Sequence, residues 1–316
     1  MLSRLMDMKH FHVVTTLPKP LRIIAKLNDN LIFDLLFTTS ATVIKSWFKA
    51  KYNLMPGIVS VLHTSGSDLK FHPHVHMIVS GGGQHIETGE YERLKSDYLC
   101  DQQFLGEQLK IKFQSKLIKL YERGKIKTPR RICDKKKLVN WLLNINQKHW
   151  IVSIQKPLED IHQIVSYVGR YTKRACISEY KITAVGERIK FQYNDYKNTP
   201  RGEKPRQAIK ALKPGEFLDQ LLQHVPTKRY RMVRYYGLYN SVYLNKIPQD
   251  LKGSFEENKL AYSEDFEWGE FEQYRKSLIR SGRPDPLYCH TCNQNMVLVG
   301  IIYKEQFKST FEYDSS

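Results

Sequence analysis

Residues 72–83 read HPHVHMIVSGGG, and how this stretch is parsed decides the rest of the chain. His72, His74 and His76 recur at every second position, ahead of an apolar run and three glycines. A period of two belongs to a β-strand, in which residues i and i+2 project from one face. His74 and His76 therefore share a face, and Val75 turns into the opposite layer. Two imidazoles so placed can chelate a metal ion, and a third ligand is expected from a neighbouring strand. His63 fills that place. It ends the run MPGIVSVLHTSG, and the loop from Thr64 to Pro73 folds back antiparallel, which brings His63 across from His74 or His76. The loop is longer than a tight hairpin, so turn chemistry does not set the register. His72, held extended by Pro73, is expected outside the ladder, and Gly81, Gly82 and Gly83 are expected to close the strand. His10, His12, His85, His149, His162 and His224 read as surface or hydrogen-bonded residues.

Outward from this strand, FHVVTTLP alternates β-branched residues up to Pro18 and reads as the first strand. Helical spacing follows from Leu31 to Tyr52, and MPGIVSVLHTSG begins the second strand. A helical pattern from Glu90 to Tyr121 runs into the basic KLIKLYERGKIKTPRRICDKKK. A short helix at KKLVNWLLNINQ precedes a fourth strand, HWIVSIQKP. The next helix, LEDIHQIVSYVGRYTKRA, carries a capping-box signal in Asp160 and Gln163. A hairpin about Gly186, YKITAVGERIKFQYND, supplies two more strands. The order of the first six elements predicts an α+β fold, a ferredoxin-like split βαβ with an antiparallel sheet and helices on one face. Beyond about residue 205 the composition turns helical and irregular, which predicts three regions: a catalytic domain over 1–205, a C-terminal basic-aromatic and mainly helical subdomain over 206–286 that includes TKRYRMVRYYGLYN, and a tail over 287–316.

The chain has 316 residues and a formal charge of +18, from 50 Lys and Arg against 32 Asp and Glu. So large an excess suits a polyanionic partner, nucleic acid before membrane. No uninterrupted apolar window approaches the ~18 residues of a membrane span, and the first residues carry no secretory pattern; a cytoplasmic protein with no membrane partner is expected. Five scattered cysteines argue against a secreted disulfide framework. Cys289 and Cys292 form a C-x2-C knuckle, half of a zinc site whose other two ligands are not evident.

YVGRYTKR places Tyr167 and Tyr171 four residues apart on one helix face, with Arg170, Lys173 and Arg174 around them. An aromatic stripe packed on the sheet explains the spacing equally well. Beside a histidine-held cation the pair also has a chemical reading. A tyrosine hydroxyl, with a pKa of about 10, is a poor nucleophile at neutral pH. A divalent cation gripping a phosphodiester polarises it and lets a phenolate displace the 3′ oxygen. Two tyrosines on one face permit two successive transfers.

HPHVHMIV with its GGG, followed by YVGRYTKR, resembles the HUH single-strand nucleases, and in particular the two-tyrosine transposases of the insertion-sequence-ninety-one family. The likeness extends in order through FHVVTTLP, LHTSGSDLKFHPHVH, HWIVSIQKP, YVGRYTKRACIS, IKFQYNDYKN and VRYYGLYN, from about residue 10 to 240. It implies an HUH-type sheet, Mg or Mn at His74 and His76, nucleophiles at Tyr167 and Tyr171, and cleavage and joining of single-stranded DNA at element ends through a 5′-phosphotyrosyl intermediate. Members usually carry a cysteine-rich zinc module ahead of the first strand; here that strand begins about ten residues into the chain, so the resemblance implies a member without it. Ser65 and Ser67 stand where Trp and Gln are typical, and Lys173 where His is common. Two other readings stay open: a histidine-triad nucleotide hydrolase, which explains neither the charge nor the tyrosines, and a DNA-binding remnant that no longer cuts.

Overall fold

The computed structural model describes residues 5–145, 150–158, 176–196, 198–200 and 203–248, together with Leu251 and short stretches between Arg275 and Ser309. The chain divides into two compact units, Met1–Ser254 and Phe255–Ser316.

The first unit is built on an antiparallel sheet. Its strands are β1 (His10–Thr16), β2 (Leu54–Ser65), β3 (Phe71–His85), β4 (Tyr91–Arg93), β5 (Val152–Ile154) and β9 (Val233–Gly237). They run in the order β5-β1-β3-β2-β9, with β4 on the far end of β3. The first four places of that order are the 4-1-3-2 arrangement of a ferredoxin-like sheet, numbered by the four strands expected from the sequence. Helices α1 (Arg22–Leu27), α2 (Asp29–Tyr52), α3 (Gln102–Glu122) and α4 (Lys135–Ile145) pack with one face of it.

Strand parity decides that packing. Phe11 and Val13, Ile58 and Leu62, and Val75, Met77 and Val79 all turn into the helix-covered core. The intervening residues line the other face. There Val59, Val61 and Ile78 meet Leu5, Met6, Leu238 and Tyr239 in a second, smaller cluster. Helix α2 passes the length and hydropathy test for a membrane span, at mean hydropathy 1.3, yet Leu36, Phe37 and Phe48 are fully buried in the core. It stops at Asn53, whose left-handed backbone (φ 55°) turns its N–H back onto the Lys49 carbonyl and releases the chain into β2.

Two expectations are corrected. The glycines at 81–83 do not end β3, which continues to His85. They sit where backbones crowd the strand: a Cβ on Gly82 would lie 2.2 Å from the Glu92 carbonyl oxygen, and one on Gly83 2.2 Å from that of Met55. His72 is inside β3 rather than before it. The described residues from 203 to 248 mix strands and helices, and the chain divides into its two compact units after residue 254. Strand β8 (Arg206–Leu212) joins β6 (Ile182–Ala184) and β7 (Ile189–Asp195) in a small sheet, followed by helix α5 (Pro214–Leu222), while β9 adds to the main sheet beside β2. Arg234 hid β9 from the alternation pattern. This charged residue turns inward, pairs with Asp34, and lies 4.5 Å from the centre of the Phe37 ring.

In the second unit, β10 (Tyr288–Cys289) pairs with β11 (Gln294–Asn295), and β12 (Gly300–Tyr303) with β13 (Gln306–Ser309). Arg275 and Asp285 form an ion pair at 2.7 Å.

Candidate metal centre

β2 and β3 pair so that His63 stands opposite His74, and Val61 opposite His76. A register shift between His63 and Ser65 marks the point where the ladder loosens toward the loop. The three imidazoles of His63, His74 and His76 meet on the face away from the helices. Their ring centres are 4.6 Å (His63–His76), 4.9 Å (His74–His76) and 5.3 Å (His63–His74) apart, and one nitrogen from each lies within 4.8 Å of the others. Ligand atoms around one cation at ~2.1 Å bonds stand about 3 Å apart, a spacing that small side-chain rotations reach from here. All three are half-buried. Three histidine ligands with open positions suit a catalytic rather than a closed structural metal site.

The hydrogen bonds fix which nitrogens face the cluster. His74 Nδ1–H donates to the His72 carbonyl at 2.6 Å, which leaves the lone pair on Nε2. His76 is set at one remove. The Gln155 Oε1 accepts at 2.8 Å from His12 Nδ1, so His12 Nε2 accepts at 2.9 Å from His76 Nδ1–H, and the His76 lone pair is again on Nε2. These tautomers assume neutral rings, and burial keeps them neutral. It pushes His74 and His76 below the ordinary histidine value, helped at His76 by its histidine neighbours and opposed at His74 by its bond to the His72 carbonyl. His72 falls to about 4, through burial and then the Arg22 charge. Neutral imidazole is the form that binds a cation. The donor set therefore fits a divalent metal.

Three residues here escaped the sequence reading. His12 reads in the sequence only as a surface or hydrogen-bonded residue, although His10 and His12 repeat the period of two seen at His74 and His76. It is 1% exposed and holds His76. Gln155 and Arg22 carry no spacing signal. Arg22 donates to the Phe71 carbonyl at 3.1 Å and places a fixed cation near His72 and His74. His72 stacks edge-on to His74, 5.3 Å between centres, outside the trio. Tyr167, Tyr171, Arg170, Lys173 and Arg174 lie outside the described residues, as do the capping residues Asp160 and Gln163 and, at the knuckle, Cys292. Cys289 falls in β10.

Residues 57–246 match the family model Y2_Tnp, described as "Putative transposase". Two relatives are similar over most of the chain. The "Putative transposase y4qJ" of Sinorhizobium fredii is 28% identical over 76% of this chain and 61% of its own length. The "Transposase for insertion sequence element IS801" of Pseudomonas savastanoi pv. phaseolicola is 30% identical over 79% of this chain and 60% of its own. The chain thus spans about three fifths of the length of these curated relatives. No solved structure matches. The matched segment takes in most of β2, all of β3 and the three histidines as well as the tyrosine pair, and the chain belongs to this family of transposases.

Proposed function

We propose that the protein cuts and rejoins single-stranded DNA at the ends of an insertion sequence, with His63, His74 and His76 holding Mg or Mn and Tyr167 and Tyr171 as nucleophiles. The observation that carries the reading is the convergence of three histidines, two of them with assigned Nε2 lone pairs, on one sheet face of a transposase-family chain. When bound, the cation would withdraw charge from the scissile phosphate. A tyrosine oxygen attacks phosphorus, the bond to the 3′ oxygen breaks, the phenolic proton is released, and the 3′ oxygen takes one up. The products are a 5′-phosphotyrosyl end and a free 3′-OH, so the bond energy is kept for rejoining. The second tyrosine supplies the second transfer, which makes the cycle one of rolling-circle type. Arg170, Lys173 and Arg174 hold the backbone on either side.

The test is covalent capture. Incubated with Mn and labelled single-stranded DNA from the element end, the protein should yield a denaturation-resistant adduct. Tyr167→Phe combined with Tyr171→Phe should abolish it, and His74→Ala should reduce it by orders of magnitude. Hydrolysis of nucleotides that survives both tyrosine changes would remove the tyrosine mechanism; salt-sensitive DNA binding without adduct would mark a binding protein only.

A further inference from the structure

On the helix side of the β2–β3 end, one residue along the chain from His63 and from His72, a cavity of about 320 Å3 opens between Thr64 and Phe71, the start of α2, and the segment 222–232. Its walls are aromatic. Phe33 packs at 6.3 Å from Phe71 and at 6.2 Å from Tyr230, centre to centre, and His224 lies nearly parallel to Phe71, at 12° and 6.4 Å. Lys26 Nζ stands 5.4 Å from the centre of the Phe71 ring.

The polar edges of these rings are largely spent inside the protein. His224 Nε2–H donates to the Leu69 carbonyl at 3.0 Å, and Nδ1 accepts from the Thr64 hydroxyl at 3.1 Å. The Tyr230 hydroxyl donates to Asp34 at 2.9 Å. A ligand therefore meets ring surface. At the rim, Asn30 Oδ1 accepts from Thr227 at 3.0 Å, which leaves the Asn30 amide NH2 as a donor, and Asp29 adds an acceptor. Lys228, Arg229 and Arg231 lie exposed just beyond Thr227, around the inward Tyr230. Arg229 is held in the left-handed region, φ 66°, a conformation a non-glycine residue keeps only where its surroundings impose it.

Ring surface inside and cations at the mouth make the combination that takes nucleic-acid bases without regard to sequence, the base stacking while its phosphates pair with the cations. We propose that this cavity binds one unstacked base of the single strand, within a few nucleotides of the phosphate at the histidines. The proposal rests on the single-strand reading above and adds a site to it: the strand would be gripped on both faces of the sheet end, by the histidines on one and by this cavity on the other.

The test uses the full chain and two probes of equal charge, an oligonucleotide of about 15 nucleotides, within the span of single-strand sites, and its counterpart with every base replaced by an abasic sugar. Fluorescence anisotropy gives the ratio of the two affinities. Phe71→Leu keeps an apolar side chain and removes the ring, and Thr227→Leu narrows the mouth. Each should cut the preference for the normal oligonucleotide about tenfold, the worth of one stacked base, with abasic binding unchanged. An undiminished ratio in both Leu variants overturns the proposal. Adduct capture is scored separately: a cavity-dependent base preference with no adduct upholds this site and removes the nuclease reading, whereas adduct with no such preference does the reverse.

Discussion

His10 and His12 stand two residues apart on one face of β1, both buried, and the protein uses them in opposite ways. His10 closes a circuit. Its Nδ1–H donates to the Met8 carbonyl at 2.7 Å, its Nε2 accepts from the Tyr239 hydroxyl at 2.6 Å, and that oxygen accepts from the Met6 N–H at 3.2 Å. Every bond returns to the scaffold, and Gly57 leaves room for the Tyr239 ring, since a Cβ there would lie 2.6 Å from it. His12 instead passes its bonding outward, through His76 to the trio. One face of one sheet thus has a structural end and a chemical end. A histidine whose partners all belong to the scaffold sustains the fold, whereas one bonded to another imidazole orients that ring.

The largest effect that sharpens this contrast is on stability against pH. Burial lowers His10 from 6.5 to about 4. Between those values the unfolded chain takes up a proton that the folded chain refuses, so stability is full above pH 6.5 and declines as pH falls toward 4. Integrated over that window, the loss is about 3 kcal/mol, visible in denaturant midpoints at successive pH values. A His10→Gln variant, starting from lower stability, should lack that share of the slope. A slope equal to that of the unaltered protein would place the titration at the other end of the face. Tyr239→Phe comes next. It removes one oxygen and leaves both His10 Nε2 and the Met6 N–H without their partner, at a cost of about 2 kcal/mol, while Mn affinity should not change. A fall in Mn affinity with this variant would erase the distinction between the two ends.

Much of this was legible in the sequence, because strand parity is a local property. HVH at 74–76 and His63 at the end of the preceding strand announced a shared face, and apolar residues at alternate positions announced the helix-covered one. What stayed hidden depends on neighbours brought from far along the chain. His63 stands opposite His74 at the end of a register that runs unbroken from Ile58 and Val79, which loop composition does not encode. β9 was masked because an arginine can turn inward when Asp34 and Phe37 receive it. The three glycines read as a stop, yet Gly82 and Gly83 admit the backbones of β4 and β2, and Gly81 that of Lys9. His12 was visible as a repeat of the same period, but its partners, Gln155 and His76, are 143 and 64 residues away.

The smallest predicted effect isolates the relay itself. Gln155 touches neither the core nor the trio; it is exposed, and its amide oxygen fixes the tautomer of His12 at 2.8 Å. With leucine in its place, His12 loses the acceptor that holds its proton on Nδ1. It then samples the form with Nε2–H, which faces the proton on His76 Nδ1 and drives His76 toward the tautomer whose cluster-side nitrogen is protonated. That nitrogen must lose its proton before it binds a cation. Groups that orient metal ligands are worth about tenfold to a hundredfold in affinity, and an exposed residue acting through an intermediate ring belongs at the lower limit. Gln155→Leu should therefore weaken Mn binding, measured by the loss of the free-ion electron paramagnetic signal, by about tenfold, with the unfolding midpoint nearly unchanged. Equal affinities would show that His76 holds its tautomer unaided, and His12 would then belong with His10 among the residues that only sustain the fold.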